Sequence, residues 1–408
     1  MRTTLVLDRP VAVVPAMLLR EERFLYRRIA DQGRAVLGIG VHEVVDAPSF
    51  DQEGRAMDWT FGALPYEWIG ADGTEARRAD GGPISQWWIP KWVVEWRGQV
   101  VYLHVHPAHV QEIQERRDDL HTELLDPDVE LAAHWTERTD RTNYMYHVDR
   151  LMRHIQRGDI YEVNYCVERF AHWPSLEPFT AFQRLLHRSQ APFAAFHRDG
   201  DRFILSASPE RFLAFDHRQV IGEPMKGTRP RSSDPEEDAR LRDELARDAK
   251  ERSENVMAVD VMRHDLSRVA APGTVTVREL CGVRSYPRVH QLVSTISATI
   301  ASGSGPMDVV RSAFPMASMT GAPKERAMQL IAMAEGVPRG AFSGSLGFFA
   351  PDGTGDLNVV IRAIEFDRRS GLASLRTGSA LTALCDPASE WEECVVKARS
   401  VLDALRHA

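Results

Sequence analysis

The sequence predicts an α+β fold built mainly from antiparallel strands. Stretches rich in β-branched and aromatic residues occur in clusters, and one of them, FFAPDGTGDLNVVI, has the pattern of a hairpin. Helical patterns alternate with these stretches, but no G-x-G-x-x-G follows a strand and no G-x-x-x-x-G-K-[ST] occurs. A doubly wound parallel sheet that binds a dinucleotide is therefore not favoured.

The N-terminal third is predicted to contain strands. WWIPKWVVEW (87–96) and VVYLHVHP (100–107) crowd β-branched and aromatic residues together, which is typical of strands. The acidic segment 116–134 is a helix or a linker and marks the candidate boundary. We expect an N-terminal region, residues 1–140, that contributes strands to the same unit as residues 141–408.

Helices are predicted where apolar residues recur with a 3.6-residue period. The apolar residues of TNYMYHVDRLMRHIQRGD share one helical face, and this pattern ends at Gly158 and Asp159. The other strong helices are expected over 234–270, 322–335 and 388–406. The intervening segments IYEVNYCVERF, RFILSASPERFLAF and LASLRTGSALTAL are expected to be strands.

Composition narrows the classes of partner and compartment. The 408 residues are 43% hydrophobic and 26% charged, with a formal net charge of -8, so we expect a soluble protein that binds neither nucleic acid nor an anionic membrane. The four cysteines are scattered without C-x-x-C and predict neither a disulfide framework nor a zinc site. The short N-terminal apolar run predicts neither a signal peptide nor a membrane span, so the expected location is cytoplasmic.

Two isolated residues are candidates for proton transfer and nucleophilic attack. Glu210 follows Pro209 at the end of an apolar strand, where most glutamates are simply solvated. Lys226 lies in EPMKGTRPR, whose prolines and glycine prevent a regular helix, and lysines in such loops are mostly exposed. If Lys226 instead lined an apolar pocket, desolvation would lower its pKa and make the neutral amine a nucleophile.

Two predicted helices carry acidic candidates. Glu254 falls on the apolar face of its helix, whereas Glu251 can remain solvated. A carboxylate on that face needs a partner, either a basic side chain or a hard divalent cation such as Mg²⁺. On the C-terminal helix, Glu390 and Glu393 cluster near Lys397, where an exposed Glu-to-Lys pair is the simplest interpretation.

Two further features are suited to binding an anion. In SMTGAPKERAMQLIA, Thr320 can cap a helix and Pro323 can occupy its first turn, so backbone N–H groups would point at a carboxylate or phosphate. A capped helix that binds no anion is the commoner interpretation of such a segment. Arg362 interrupts the β-branched strand VVIRAIEF, and an arginine on an inward face would bind a carboxylate through two hydrogen bonds.

Six segments in order resemble the chorismate-utilising enzymes, a family that comprises anthranilate synthase component I, aminodeoxychorismate synthase component I, and isochorismate and salicylate synthases. The resemblance spans residues 140–405. The segments are GDIYEVNYCVERF, SASPERFL, EPMKGTRPR, ENVMAVDVMRHDLSRVAAPGTVTV, FPMASMTGAPKERAM and SEWEECVVKARSVL.

The resemblance implies a single large unit of two packed, mainly antiparallel sheets flanked by helices, with chorismate and Mg²⁺ in a cleft. By position, Glu254 and Glu393 match the family's metal carboxylates, and Glu210 matches its general acid/base. The matching substrate-binding positions are Thr228, Thr320, Gly321, Ala322, Arg362, Gly378 and Lys397.

Two positions favour one branch of the family. Isochorismate and salicylate synthases carry an activating lysine where this chain has Glu162, and anthranilate synthases carry alanine where it has Lys226. The P-x-K-G-T form resembles aminodeoxychorismate synthases, in which this lysine attacks the ring and ammonia replaces the 4-hydroxyl. Because the chain has no G-x-C-x-G nucleophile turn, ammonia is expected from a separate glutamine amidotransferase subunit. Anthranilate formation and chorismate binding without turnover are the alternatives.

Several positions depart from the family pattern. Gln291 stands directly before L-V-S where the family has histidine, and His290 lies one residue earlier, a shift that on a strand points the side chain to the opposite face. Phe348 replaces a tyrosine that would offer a hydroxyl to the substrate. The segment GSALT keeps Gly378 but replaces two later glycines, including the one at Ser379.

Overall fold

The computed structural model describes residues 2–13, 15–79, 84–122 and 131–406. Its strands are β1 (Thr3–Leu7), β2 (Arg23–Ile29), β3 (Arg34–Ile39), β4 (Glu43–Val45), β5 (Thr60–Leu64), β6 (Gln86–Ile89), β7 (Trp92–Arg97), β8 (Val100–Val105), β9 (Thr136–Glu137), β10 (Glu162–His172), β11 (Ala195–Asp199), β12 (Arg202–Ser206), β13 (Arg211–Asp216), β14 (Gln219–Gly222), β15 (Met225–Pro230), β16 (Thr276–Ser285), β17 (Val289–Thr299), β18 (Gly321–Ala322), β19 (Ser345–Phe349), β20 (Thr354–Asn358), β21 (Ala363–Asp367) and β22 (Leu372–Thr382).

The helices lie mostly in the second half of the chain. They are α1 (Val110–Arg116), α2 (Arg141–Gln156), α3 (Pro178–Ser189), α4 (Pro235–Arg247), α5 (Ala249–Ser267), α6 (Pro306–Ala313), α7 (Lys324–Glu335) and α8 (Pro387–Leu405). Within the described ranges, none of them combines the length and the apolar character that a membrane span requires.

Two antiparallel sheets form the frame of the molecule. The first has 12 strands in the order β1-β8-β7-β3-β2-β11-β12-β21-β22-β10-β18, with β9 paired to β10. The second has 10 strands in the order β15-β17-β14-β13-β20-β19-β5-β6-β4, with β16 paired to β17. The predicted α+β class with two mainly antiparallel sheets is confirmed.

The two sheets pack directly on each other through an apolar layer. Leu25 and Val36 of the first sheet and Phe61, Trp88 and Phe348 of the second belong to one fully buried cluster. The aromatic rings of Phe61 and Phe348 lie 5.8 Å apart. Burial of these large apolar side chains is what holds the sheets face to face.

Helices cover the outer faces of both sheets. Helices α3 and α8 pack on the first sheet through Phe182 and Val401, among others, while α5 and α6 pack on the second through Met262 and Val309. Helices α2 and α7 lie against β10, whose residue Tyr165 belongs to the same buried cluster as theirs. The ends of β10, α5 and α8 therefore come close enough to build one site.

Strands from the first 105 residues belong to both sheets. The predicted strands at 87–96 and 100–107 are present as β6, β7 and β8. The hairpin predicted in FFAPDGTGDLNVVI is also present, as β19 and β20. The proposed boundary segment 116–134 lies partly outside the described residues, and the division at residue 140 stays a prediction.

The predicted helices are present with one break and one shifted start. The stretch 234–270 is two helices because Asp248 is extended and its carboxylate accepts hydrogen bonds from the backbone N–H groups of Lys250 and Glu251, which caps α5. Helix α7 begins at Lys324, and Thr320 does not cap it. The hydroxyl of Thr320 instead donates to the carbonyl oxygen of Met316 at 3.0 Å.

Candidate active site

Lys226 lies on a strand of the second sheet and is buried. EPMKGTRPR is not the loop expected from its prolines, because Met225–Pro230 pairs with β17 across a bulge between Lys226 and Thr228. Gly227 adopts φ +75° at this bulge, and a Cβ there would lie 2.9 Å from Glu251 Oε2. The bulge places Lys226 next to α5.

Two carboxylates surround the ammonium group of Lys226. Its Nζ lies 2.5 Å from Glu162 Oε1 on β10 and 3.9 Å from Glu254 Oε2 on α5. Burial by itself would lower the pKa of Lys226, but Glu162, Glu254 and Glu210 together raise it. The expectation of a neutral amine made by desolvation is therefore wrong for the resting protein, where Lys226 is charged.

Glu210 is buried beside this lysine, and the pKa of its carboxyl group is raised toward neutral pH. The turn between β12 and β13 carries it, and its Oε1 accepts a hydrogen bond from Ser318 Oγ at 2.7 Å. Burial raises the pKa of Glu210 to about 7, against the opposing effects of Ser318 and Lys226. A carboxyl group with this pKa can donate a proton to a leaving hydroxyl and take it back later.

Four carboxylates from two helices form an acidic cluster, and two of them, Glu254 and Glu393, interact with the charge of Lys226. Glu251 and Glu254 are one helical turn apart on α5, and Glu390 and Glu393 are one turn apart on α8. Burial raises the pKa of Glu254 to about 7 and also raises those of Glu251 and Glu390. Removing these charges from water is unfavourable, so the cluster is suited to binding a cation.

Lys250 supplies part of the compensating positive charge. Its Nζ lies 2.6 Å from Glu390 Oε1 and 3.8 Å from Glu254 Oε1. Glu254 Oε1 and Glu390 Oε2 are nevertheless buried without a hydrogen-bond partner in the described parts of the chain. Oxygen atoms of this kind are the ligands that hard divalent cations prefer, so these residues fit such a cation.

Glu251 and Glu390 were missed by reasoning from the sequence. Glu251 was expected to be solvated and Glu390 to belong to an exposed cluster, yet Glu390 is 1% exposed. The spacing E-x-x-E occurs in both helices and puts each pair on one face, which is a signal that could have found them. The expected pair of Glu393 and Lys397 is present at 2.5 Å.

Arg362 lies between two strands instead of interrupting one. It connects β20 to β21 with φ +51°, and it donates a hydrogen bond to Ser400 Oγ at 2.5 Å. Among the described residues, no carboxylate lies within 4.0 Å of its guanidinium group, and burial lowers its pKa. Arg362 is therefore available to an anionic ligand.

A cavity of about 650 Å³ opens beside these residues. Its wall includes Arg362, Ser400, Thr228, Gln291 and Pro209. Lys226 and Glu210 are not among its lining residues, but Thr228 lies two residues beyond Lys226 and Pro209 directly precedes Glu210. Such a volume is typical of a small-molecule site.

Gly378 and Lys397 connect β22 to α8 near the acidic cluster. Lys397 Nζ donates to the carbonyl oxygen of Gly378 at 2.8 Å as well as pairing with Glu393. A Cβ at Gly378 would lie 2.5 Å from Asn164 Oδ1 and Cys166 Sγ, so β10 approaches closely only because the residue is glycine.

The segment before α7 is held against Glu162. Gly321 and Ala322 pair with Glu162 and Val163, and a Cβ at Gly321 would lie 2.1 Å from the carbonyl oxygen of Glu162. Ala322 also lines a second cavity of about 890 Å³ between α5, α6 and α7. The start of α7 is thus at that cavity and is not part of the wall that contains Arg362, so its predicted role as an anion site has no support here.

The histidine lies at position 290, one residue before its position in the family, and its side chain points to the opposite face of the strand from that of Gln291, as expected. His290 is buried, and its Nε2 lies 2.9 Å from Asp238 Oδ1 on α4, whereas Gln291 lines the cavity and has a buried Oε1 without a partner in the described ranges. Phe348 lies in the layer between the sheets and lines none of the cavities described here. The effect of the missing hydroxyl on substrate binding stays a prediction.

The sequence of this chain matches a family of known enzymes. The sequence profile of chorismate binding enzymes matches residues 31–403. The chain belongs to this family. An aminodeoxychorismate synthase from Streptomyces griseus is 45% identical over 270 residues, which are 66% of this chain and 37% of that protein. Anthranilate synthase component 1 from Thermus thermophilus is 39% identical over 268 residues, 66% of this chain and 57% of that protein.

The fold of this chorismate binding enzyme is also found in a solved structure. The menaquinone-specific isochorismate synthase from Escherichia coli aligns with a TM-score of 0.82 at 17% identity, over 100% of this chain and 94% of that one. At this identity the likeness concerns the fold alone. The chain spans less than two thirds of the length of the two sequence relatives, which leaves their whole activities as proposals here.

Proposed function

We propose that this chain converts chorismate and ammonia to 4-amino-4-deoxychorismate. The observation that carries the proposal is Lys226, a buried lysine held between Glu162 and Glu254 on the strand whose Thr228 lines the ligand-sized cavity. The similarity to the aminodeoxychorismate synthase from Streptomyces griseus supports the same reaction.

The substrate enters the cavity with its negative charges toward Arg362. The guanidinium group, free of carboxylate partners in the described residues, binds one carboxylate of chorismate through paired hydrogen bonds. Thr228 and Gln291 line the same wall and contribute polar contacts. Gly378 and Lys397 are proposed to bind the substrate on the side of α8. The proposed contacts of Thr320, Gly321 and Ala322 lie beside β10, where Ala322 lines the second cavity.

The reaction begins with proton transfer from Lys226 to Glu162. The two groups are 2.5 Å apart, so the carboxylate can accept the proton as substrate binding changes the local charge. The neutral amine attacks C2 of the ring, the double bond shifts, and the C4–oxygen bond breaks. Glu210 supplies the proton with which the hydroxyl leaves as water.

Ammonia completes the exchange. It forms a bond to C4, the double bond shifts back, and the bond from C2 to the lysine nitrogen breaks, which regenerates Lys226. One proton from the ammonia nitrogen returns to the protein, and Glu210, now ionised, is a suitable acceptor. The sequence of steps neither gains nor loses electrons.

We also propose Mg²⁺ as the cation of the acidic cluster. Glu254 and Glu393 would hold it, with Glu251 and Glu390 beside them, because their oxygen atoms form a hard donor set with buried, unpartnered members. Mg²⁺ bound there offsets the negative charge of the substrate and of the surrounding carboxylates.

Ammonia would come from a glutamine amidotransferase subunit in the cytoplasm. The relative from Thermus thermophilus is named as a component 1, which supports a second component for proteins of this kind. No G-x-C-x-G nucleophile turn is present in the sequence of this chain.

The product assay tests the proposal directly. Purified chain is incubated with chorismate, Mg²⁺ and an excess of an ammonium salt at mildly alkaline pH, where free ammonia is present and part of Glu210 is still protonated, and the products are identified by mass spectrometry. We expect a product in which an amino group replaces the 4-hydroxyl. Fluorescent anthranilate with release of pyruvate would contradict the proposal and favour the anthranilate synthase reaction, and binding of chorismate without consumption would contradict both.

A further inference from the structure

Three histidines meet on the surface of the N-terminal region, away from the acidic cluster. His42 lies in the link from β3 to β4, where the chain passes from the first sheet to the second, and His106 and His109 follow β8. One ring nitrogen from each lies within 4.8 Å of those of the other two. His42 Nδ1 and His109 Nε2 are 3.2 Å apart.

The backbone positions of all three histidines are fixed. The N–H of His42 donates to the carbonyl oxygen of Ile89 at 2.9 Å, that of His106 donates to Lys91 at 3.0 Å, and that of His109 donates to His106 at 2.9 Å. The cluster is thus built on ordered backbone, although its segments are distant in sequence.

A carboxylate orients one of the rings. His109 Nδ1 lies 3.3 Å from Glu112 Oε2, which leaves Nε2 directed at His42. Lys91 donates to Glu112 at 3.0 Å and fixes that carboxylate in turn. A histidine whose second nitrogen contacts a carboxylate is the usual arrangement around a protein-bound metal.

Two of the rings are stacked, and the cations near the cluster are paired with carboxylates. His42 and His106 are stacked with centroids 3.6 Å apart, and two charged rings at that distance would repel each other. The nearby cations are neutralised, since Arg2 pairs with Asp58 at 2.6 Å and Lys91 pairs with Glu112.

We propose that His42, His106 and His109 form a binding site for Zn²⁺, with water as the fourth ligand. A tetrahedral ion with Zn–N bonds of ~2.0–2.1 Å separates its ligand atoms by about 3.3 Å, close to the distance between His42 and His109. The other ligand atoms lie within 4.8 Å of one another, so binding would require the exposed His42 and the half-buried His106 to rotate. The scattered cysteines predicted no zinc site, and this site needs none of them.

The bound ion would tie the link between the two sheets to the end of β8. A ligand that binds only the folded protein stabilises it, so Zn²⁺ should raise the melting temperature of the full chain. The effect does not depend on chorismate chemistry, and its failure would leave the proposed function untouched.

Isothermal titration of the tag-free, EDTA-treated chain with Zn²⁺ tests the proposal, with excess Mg²⁺ present to occupy the acidic cluster. We expect one equivalent of Zn²⁺ that is lost in His106→Ala and His109→Ala and retained in His217→Ala, a control in the hairpin of β13 and β14. Glu112→Gln should weaken binding about 10-fold or more, because it removes the carboxylate behind His109. X-ray absorption of the loaded chain should show three imidazole ligands.

Two results would overturn the proposal. One is a Zn²⁺ stoichiometry that is the same in the wild-type chain and in both histidine variants. The other is a zinc spectrum with oxygen ligands alone, which would assign the ion to carboxylates. The variants change exposed or half-buried side chains, and circular dichroism of each checks that loss of binding is not loss of folding.

Discussion

Glu210 and Arg211 are neighbours in the sequence but belong to two different buried charge networks. Arg211 donates to Asp356 Oδ2 at 2.8 Å and to Glu223 Oε2 at 2.6 Å, and Arg27 pairs with the same Asp356. Glu210 faces the other way, toward Ser318 and Lys226. Alternation of side chains along the chain separates the two groups.

The two networks differ in how completely their charges are balanced. Around Arg211, opposite charges are paired at short range, which is what a purely structural network needs. Around Lys226, carboxylates outnumber the bases, the pKa values of Glu210 and Glu254 are raised to about 7, and Glu254 Oε1 has no partner among the described residues. Imbalance of this kind is typical of a site that completes itself with a ligand.

The largest effect is expected from Lys226→Ala. Removal of the nucleophile should lower the rate of 4-amino product formation by at least about 10³-fold, because no other group here can form the covalent bond. Stopped assays with mass spectrometry measure the loss. Lys91→Ala, which removes another lysine paired with carboxylates, should keep the activity, and undiminished turnover in Lys226→Ala would refute the lysine mechanism.

Glu210→Gln should lower the rate by about 10²–10⁴-fold, since the amide cannot donate the proton that the hydroxyl needs. In the wild-type chain the protonated fraction of Glu210 falls as pH rises through about 7, so the rate should decline above that pH at saturating Mg²⁺. A pH–rate profile of the wild-type chain and of Glu210→Gln measures this alkaline decline in each. The same alkaline decline in Glu210→Gln would assign it to another group.

Arg211→Ala should act on stability instead of chemistry. It leaves Asp356 and Glu223 without their buried partner, which costs about 3–5 kcal/mol in the free energy of unfolding. Urea denaturation measures the change. Arg240→Ala breaks an exposed pair with Glu237 on α4 and should barely move the midpoint. Equal losses in the free energy of unfolding in the two variants would show that the Arg211 network contributes no more to stability than an exposed ion pair.

Glu390→Gln should have the smallest effect on turnover. The variant should raise the Mg²⁺ concentration for half-maximal activity by about 10-fold, because the carboxylate borders the proposed cation site. Glu392→Gln, an exposed residue of the same helix, is the matched control. EDTA should abolish activity in all three proteins and Mg²⁺ should restore it, and activity that survives EDTA would contradict the metal proposal.

The sequence predicted the fold and the separate site residues better than their charge states. The residue pattern predicted β6 to β8 and the β19–β20 hairpin, because the two-residue alternation of a strand can be seen in neighbouring residues of the sequence. The pKa of Lys226 could not be predicted, since it depends on Glu162, which is 64 residues away in the chain. Glu390 was misjudged for the same reason: its partner Lys250 lies on another helix.

His42, His106 and His109 are a second case in which contacts between distant residues could not be predicted from the sequence. Two of them are close in the sequence, but the third joins them only because β3 and β8 are neighbours of β7 in the first sheet. A pattern search along the chain does not bring them together, whereas the pairing of strands does.

The most direct test of the central claim is a search for the covalent intermediate. The chain is mixed with chorismate and Mg²⁺ without ammonia, quenched in acid, and digested for peptide mass spectrometry. We expect the peptide that contains Lys226 to gain the mass of chorismate minus water, and Lys226→Ala to show no adduct. An unmodified Lys226 under these conditions, in a preparation that forms the 4-amino product once ammonia is supplied, would contradict the account.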